Sequence, residues 1–317
     1  MDLWTALTEV RRPGAGWHCW TGERFEWTTW QATIASARGL ATHLRAAGVG
    51  PGSRVVTVLT NSPLAVRGML AIWFAGGTVA SLPVPARGMD LEEYRDQLIE
   101  LTRRLDAQLL MLDEQLVPLV AGAPGRTVRV RSWESLRELA PLDPEPPAAD
   151  EIAFIQYSSG STSMPKGCML SSRAIAAQLE IVAAATGSTA GAEVVCSWLP
   201  LSHDMGAFGC LLLSLAWDFD LVLSSPERFM RNPRTWLGDC AERGATMTAG
   251  TSTALGAATR VHRAGSIKRP LRLRTAASAP SGSTGERCGR RSTRSAPRAS
   301  ARPRSCRHTD WPRRRSS

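Results

Sequence analysis

Apolar and polar positions along this chain fall into blocks that alternate between strand length and helix length. From Thr29 to Ala47 the apolar residues recur at helical spacing, and GVGPG (48–52) ends the run with the glycine and proline expected past a helix C-cap. RVVTVL (54–59) is a β-branched run suited to a buried strand. In SPLAVRGMLAIWFAGG (62–77), Ser62 fits an N-cap, Pro63 fits the first helical turn, and Gly76-Gly77 closes the segment. TVASLPV (78–84) reads as the next strand. Strand, helix and strand at this spacing make a βαβ unit, which predicts a parallel sheet covered by helices.

The same reading predicts a helix over Leu91–Leu105, a strand over 108–113, a strand over 152–157 and a helix over 171–185 with Ile175, Leu179 and Val182 on one face. Residues 194–201 and 220–225 are strand-like, while Met205–Ala216 and Pro233–Arg243 are helical. APLDPEPPAADE (140–151), rich in proline and acid, reads as a link. No internal repeat is evident. The predicted fold class is therefore α/β.

Composition changes this picture in one respect. At 317 residues and 43% hydrophobic the chain can build an ample core, and its net charge of +10 first suggests a polyanion partner. The charge is not evenly spread. Residues 276–317 hold 11 arginines against Glu286 and Asp310, whereas residues 1–275 are close to neutral. After Leu273 no Leu, Ile, Val, Met or Phe occurs, so the tail 276–317 is expected to be disordered. The neutral body argues against nucleic acid. Only Lys166 and Lys268 are lysines, an arginine bias that points to a GC-rich gene. The seven cysteines show neither CxxC pairs nor regular spacing, so no zinc site or disulfide framework is predicted and a reducing cytoplasm is expected. No basic start with a long apolar run marks a signal peptide, and no apolar stretch approaches the ~20 residues of a membrane span.

The chemistry concentrates in IAFIQYSSGSTSMPKGCML (152–170). An apolar strand runs into Ser158, Ser159, Gly160, Ser161, Thr162 and Ser163, followed by Pro165, Lys166 and Gly167. Small hydroxyl residues and glycine let backbone N–H groups converge on an anion, and Lys166 adds a point charge suited to phosphate. A Walker P-loop is excluded because Pro165 precedes Lys166 and Gly167 follows it, and a GxGxxG fingerprint is absent. Further on, WLPLSHDMGAFG (198–209) places His203, Asp204, Met205 and Gly206 at a strand–helix junction, where Asp204 could also serve as an N-cap.

YSSGSTSMPKG resembles the signature of the adenylate-forming ligases, usually (Y/F)-T-S-G-S-T-G-x-P-K-G, with Ser158 for Thr and Ser163 for Gly. WLPLSHDMGAFG is similar to the corresponding segment of the fatty acyl-AMP ligases within that superfamily. NSPLAVRGMLAIWFAGGTVASLPVPAR (61–87) and SPERFMRNPRTWL (225–237) resemble further family segments. The resemblance implies that residues 1–275 are the N-terminal part of the large ligase domain, incomplete, with a parallel sheet. It implies ATP and Mg²⁺ as cofactors, a fatty acid as substrate and an acyl carrier protein, or a carrier domain of a polyketide or peptide synthase, as acceptor. Ser158, Ser159, Gly160, Ser161, Thr162, Ser163, Lys166 and Gly167 would hold the phosphates. His203 and Lys166 would be the catalytic residues, His203 helping to position the acyl carboxylate and Asp204 holding the loop, with His203, Asp204, Met205 and Gly206 on the substrate side. No metal ligand is identified. An acyl-CoA ligase is the nearest alternative, and binding of an anionic partner through the basic tail is one of another class.

The family's adenine segment and its Y-G-x-(A/T)-E segment, whose Glu helps place Mg²⁺, do not follow residues 271–275 in the reading frame given. Displaced by one base, Cys306–Arg314 can be read as P-A-Y-G-L-A-E-A, in which the Leu and the next Ala are forced by the codons of Asp310, Trp311 and Pro312. Ala279–Thr284 decodes in the same frame to G-A-E-R-V-D. A shift near Thr275–Ser278 is thus expected, giving a tail translated out of frame and a chain without turnover.

Overall fold

The computed structural model describes residues 2–85, 88–121, 128–157, 166–261 and 270–279. The Asp2 side chain opens α1 (Leu3–Thr8), accepting the Thr5 N–H at 2.9 Å. The hairpin of β1 (Gly16–Trp20) and β2 (Phe25–Thr29) leads into α2 (Trp30–Ala46). Then come β3 (Arg54–Val58), α3 (Pro63–Phe74), β4 (Thr78–Leu82), α4 (Leu91–Arg104), β5 (Leu109–Leu112), α5 (Val117–Ala121) and β6 (Val130–Ser132). As the sequence predicts, Ser62 caps α3, accepting the Ala65 N–H at 3.1 Å, and Pro63 occupies its first turn.

Past the proline-rich link lie β7 (Ile152–Tyr157), β8 (Gly167–Ser171), α6 (Ser172–Thr186) and β9 (Val194–Ser197). A continuous helical stretch follows: α7 (Asp204–Gly206), a π-helical segment over Ala207–Leu212, and α8 (Leu213–Ala216). The described chain closes with β10 (Asp220–Leu223), α9 (Pro226–Arg231), α10 (Arg234–Glu242), β11 (Met247–Thr251), α11 (Ser252–Val261) and β12 (Thr275–Ala279).

The strands build two six-stranded sheets. One has the order β6-β5-β3-β4-β7-β8, the other β12-β11-β9-β10-β1-β2. Each is parallel apart from one antiparallel edge, β8 on β7 and β2 on β1. Parallel strands joined by crossover helices are buried on both faces, and the side chains divide accordingly. Val55, Val79, Met111 and Phe154 point from the first sheet into the central core, where Leu40 of α2, Met69 of α3 and Leu179 of α6 meet Leu221 and Leu223 of the second. Their neighbours Val56, Ala80, Leu110 and Ile155 point outward to Tyr94 and Leu98 of α4. On the far side Cys196 and Val222 pack against Phe229, Trp236 and Ala254 of α9, α10 and α11. The result is five layers, helices–sheet–helices–sheet–helices.

Several sequence expectations need correction. The strand expected over 194–201 stops at Ser197, because the backbone from Leu199 to Ser202 bonds to side chains rather than to a neighbouring strand. Helix is present from Asp204 to Ala216 but is π-wound in its middle, which apolar spacing does not encode. Residues 276–279, expected to be disordered, are instead the end of β12, which pairs with β11 through Ala279; a parallel ladder needs only backbone groups, which Ala and Ser supply as well as Val does. Residues 280–317, with the out-of-frame segments, lie outside the described residues apart from Ala279. Among the described residues no helix is long and apolar enough to cross a membrane.

Candidate functional site

The Ser/Gly-rich loop joins two strands that lie side by side. The chain leaves β7 at Tyr157 and re-enters β8 at Gly167, and these two residues face each other in the antiparallel register. A Cβ on Gly167 would lie 3.0 Å from Ile155 Cγ2 and 3.2 Å from the Tyr157 ring, so glycine lets β8 close over that ring. Tyr157 is buried, and burial pushes its phenol above the ordinary value. Ser158, Ser159, Gly160, Ser161, Thr162 and Ser163 lie outside the described residues. Lys166 is exposed at the start of β8.

Beneath this hairpin is a largely apolar cavity of about 700 Å³. Cys168 and Leu170 of β8 line one side, Ile175 and Val182 of α6 another, and Phe208 and Met247 the remainder. Asp204 and Met205 also line it, so part of the second predicted motif shares this cavity with the strands that flank the first.

His203 is the N-cap of α7. Its Nδ1 lies 2.5 Å from Asp204 Oδ1 and 3.4 Å from the Met205 N, while Met205 N–H reaches Asp204 Oδ1 at 2.7 Å. Nδ1 cannot both donate and accept, so the shorter contact assigns its proton toward Asp204, which also takes the Met205 N–H. The hydrogen bond to Asp204 raises the His203 pKa above the ordinary histidine value, and the same bond lowers that of Asp204. Gly206 follows with helical φ of −71°, yet a Cβ there would lie 2.2 Å from the Pro200 carbonyl oxygen. Its role is to let the helix start against the backbone of Leu199–Pro200.

That backbone is held by two side chains that motif reading missed. Asn61, buried in the turn between β3 and α3, donates from Nδ2 to the carbonyls of Leu199 (2.9 Å) and Ser224 (2.7 Å) and accepts the Leu201 N–H at 3.0 Å. Gln156 in β7 donates from Nε2 to the Ser202 carbonyl at 2.6 Å. The signal for Gln156 was a lone amide in an otherwise apolar strand; for Asn61 it was a polar residue directly ahead of a helix cap.

The segment over 225–237 forms α9 and α10 and braces the same loop from below. Phe229 stacks on Trp198 with ring centroids 3.7 Å apart, and Trp236 meets Trp198 edge-on at 5.9 Å. Arg228 pairs with the buried Asp239, with one contact at 3.0 Å, and lies 4.2 Å above the Trp20 ring. Among the described residues no three His, Cys, Asp or Glu side chains gather as they would for a metal ion.

The chain matches the family model described as AMP-binding enzyme over residues 8–296. It is similar to a 4-hydroxyphenylalkanoate adenylyltransferase of Mycobacterium marinum, 29% identical over 67% of this chain and 35% of that protein. It is also similar to the Mycobacterium tuberculosis protein named probable long-chain-fatty-acid–AMP ligase FadD30, 29% identical over 72% of this chain and 41% of that protein. Among solved structures, one from work on fatty acyl-adenylate ligases of E. coli and L. pneumophila superimposes with a TM-score of 0.79 at 23% identity, over 87% of this chain and 51% of that one. At that identity the likeness is one of fold. The chain spans 35–41% of the length of these two curated relatives.

Proposed function

Because the chain belongs to the AMP-binding enzyme family, we propose that it carries the phosphate-gripping and acyl-holding parts of an enzyme that activates a fatty acid with ATP as its acyl-adenylate. The observation that supports this most is that β7 and β8, the two strands flanking the Ser/Gly sequence, border an apolar cavity also lined by Asp204 and Met205. In this reading the acyl chain occupies the cavity. Ser158 to Ser163, Lys166 and Gly167 hold the phosphates, where negative charge grows as the carboxylate attacks the α-phosphorus. His203, oriented through Nδ1 by Asp204, places the carboxylate with its remaining ring nitrogen. The described residues fit a fatty acid and one phosphate-binding cation. In this reading the Glu that would help place Mg²⁺ lies in the out-of-frame Y-G-L-A-E segment.

The acceptor in this reading is the thiol of a carrier protein, with coenzyme A the alternative. Cys19, Cys168, Cys196, Cys210 and Cys240 are all free thiols, which suits a reducing cytoplasm. Residues 1–275 are the partial adenylation unit, and the tail beyond is translated out of frame.

ATP–pyrophosphate exchange with a fatty-acid panel, run on this chain beside a frame-restored version, tests the reading. The expected result is weak ATP binding without exchange for this chain and exchange for the restored one. No exchange by a folded, ATP-binding restored enzyme on any fatty acid would refute fatty-acid activation. Full exchange by this chain would refute the out-of-frame tail. Steeply salt-dependent nucleic-acid binding that disappears on truncation after Ala279 would favour the basic-tail alternative.

A further inference from the structure

Gln156 connects two parts of the molecule that the proposed chemistry needs in register. It precedes Tyr157, the residue from which the chain enters the Ser/Gly loop. Its Nε2 donates to Ser202, the residue directly before His203. Ser202 is only 5% exposed, so this 2.6 Å bond works in a water-poor setting where hydrogen bonds are strong and directional. Asn61 already anchors Leu199 and Leu201 to the β3–α3 turn. From Ser202 onward, the Gln156 amide ties the turn to β7. Among the described residues the Gln156 Oε1 is buried without a partner, an arrangement that costs stability. Gln156 also lines the cavity.

We propose that Gln156 is a positioning residue that locks the His203–Asp204 turn to the strand feeding the 158–167 loop, so that filling the phosphate side is felt on the carboxylate side. The lock rests on the geometry alone; the transmission rests on the adenylate-forming reading. It is a coupling between two subsites carried by one hydrogen bond, and it must be reciprocal.

The test uses the 317-residue chain with Gln156→Met, Gln156→Glu and the control Gln178→Met, which lines the same cavity from α6. His203 is titrated by NMR, its signal identified with His203→Gln. Both Gln156 variants should move its midpoint toward the ordinary histidine value, and the control should not. Calorimetry then measures ATP affinity with and without decanoate. The unmutated chain should show at least about fivefold coupling and Gln156→Met none. An unchanged His203 midpoint in folded Gln156 variants overturns the lock. Coupling that survives in Gln156→Met overturns the transmission. If the unmutated chain binds no ATP, the transmission falls with the adenylate-forming reading, and the His203 titration still decides the lock. Should both variants fail to fold, hydrogen exchange in the unmutated chain decides: a protected Gln156 side-chain amide supports the lock, and one exchanging as freely as an exposed amide overturns it.

Discussion

Replacing Gly206 by alanine separates space from conformation at the start of the helix that walls the cavity. The added Cβ would meet the Pro200 carbonyl oxygen at 2.2 Å, its carbon at 2.9 Å and the Leu199 oxygen at 3.1 Å. All three are backbone atoms, so no side chain can swing aside. Relief requires moving the Leu199–Pro200 segment, which Asn61 and the Trp198 stack hold. Overpacking a firm core typically costs about 1–3 kcal/mol, and a rigid backbone wall puts this site at the upper end, about 3. Alanine returns about 0.5–1 kcal/mol of helical preference, leaving a net loss of about 2. Gly209 supplies the control, since its Cβ would touch only Met205 Cγ at 3.7 Å, an ordinary contact. Gly209→Ala should therefore be neutral or gain up to about 1 kcal/mol. Urea unfolding followed by tryptophan fluorescence should separate the two variants by about 2–3 kcal/mol. Equal stabilities, or a loss below about 1 kcal/mol at Gly206, would refute the claim that this glycine exists for backbone clearance.

Three further outcomes are expected. Arg228→Met leaves Asp239 buried without its partner and should destabilise by about 3–5 kcal/mol in urea unfolding, with Asp239→Asn added to it recovering part of the loss. For the His203–Asp204 pair, the raised histidine contributes fully below its ordinary value near 6.5, and this is lost as pH rises through the folded value. The lowered aspartate contributes above its ordinary value near 3.8, and this is lost as pH falls through the folded value. The stability difference between the unmutated chain and His203→Gln should therefore be largest near pH 5 and shrink toward both extremes. It should also be small, because both side chains are about two-thirds exposed. Lys166→Gln should weaken ATP binding about 10- to 100-fold, the worth of one charge-assisted hydrogen bond, as read by calorimetry; unchanged affinity would remove Lys166 from the phosphate site.

The layered α/β plan was legible because its strands are continuous apolar runs and its helices carry local punctuation such as Ser62-Pro63 and Gly76-Gly77. The hairpin of β1 and β2 was not, since GWHCW and FEWTT mix Trp, His and Glu without clean alternation. Nor was β8, whose residues Gly167 to Met169 are exposed and which reads as part of the loop it closes. At the site, motif residues gave the cavity-lining Asp204 and Met205 but not Asn61 or Gln156. Those two act on backbone carbonyls more than 40 residues away in sequence, a relation that neither periodicity nor local spacing records.

The π-wound stretch from Ala207 to Leu212 acts as a phase shifter between pocket and core. An α-helix turns about 100° per residue, so one extra residue in a turn rotates everything beyond it by that amount. Met205 just ahead of the stretch and Phe208 and Gly209 in its first half line the cavity; beyond it, Leu213 and Leu215 are seated in the central core. A single-residue deletion here would restore a regular helix and swing one of the two sets out of place. Substitution is the route by which such a protein can reshape its pocket, because the cavity-facing residues can change size while the leucines beyond the bulge keep their own register.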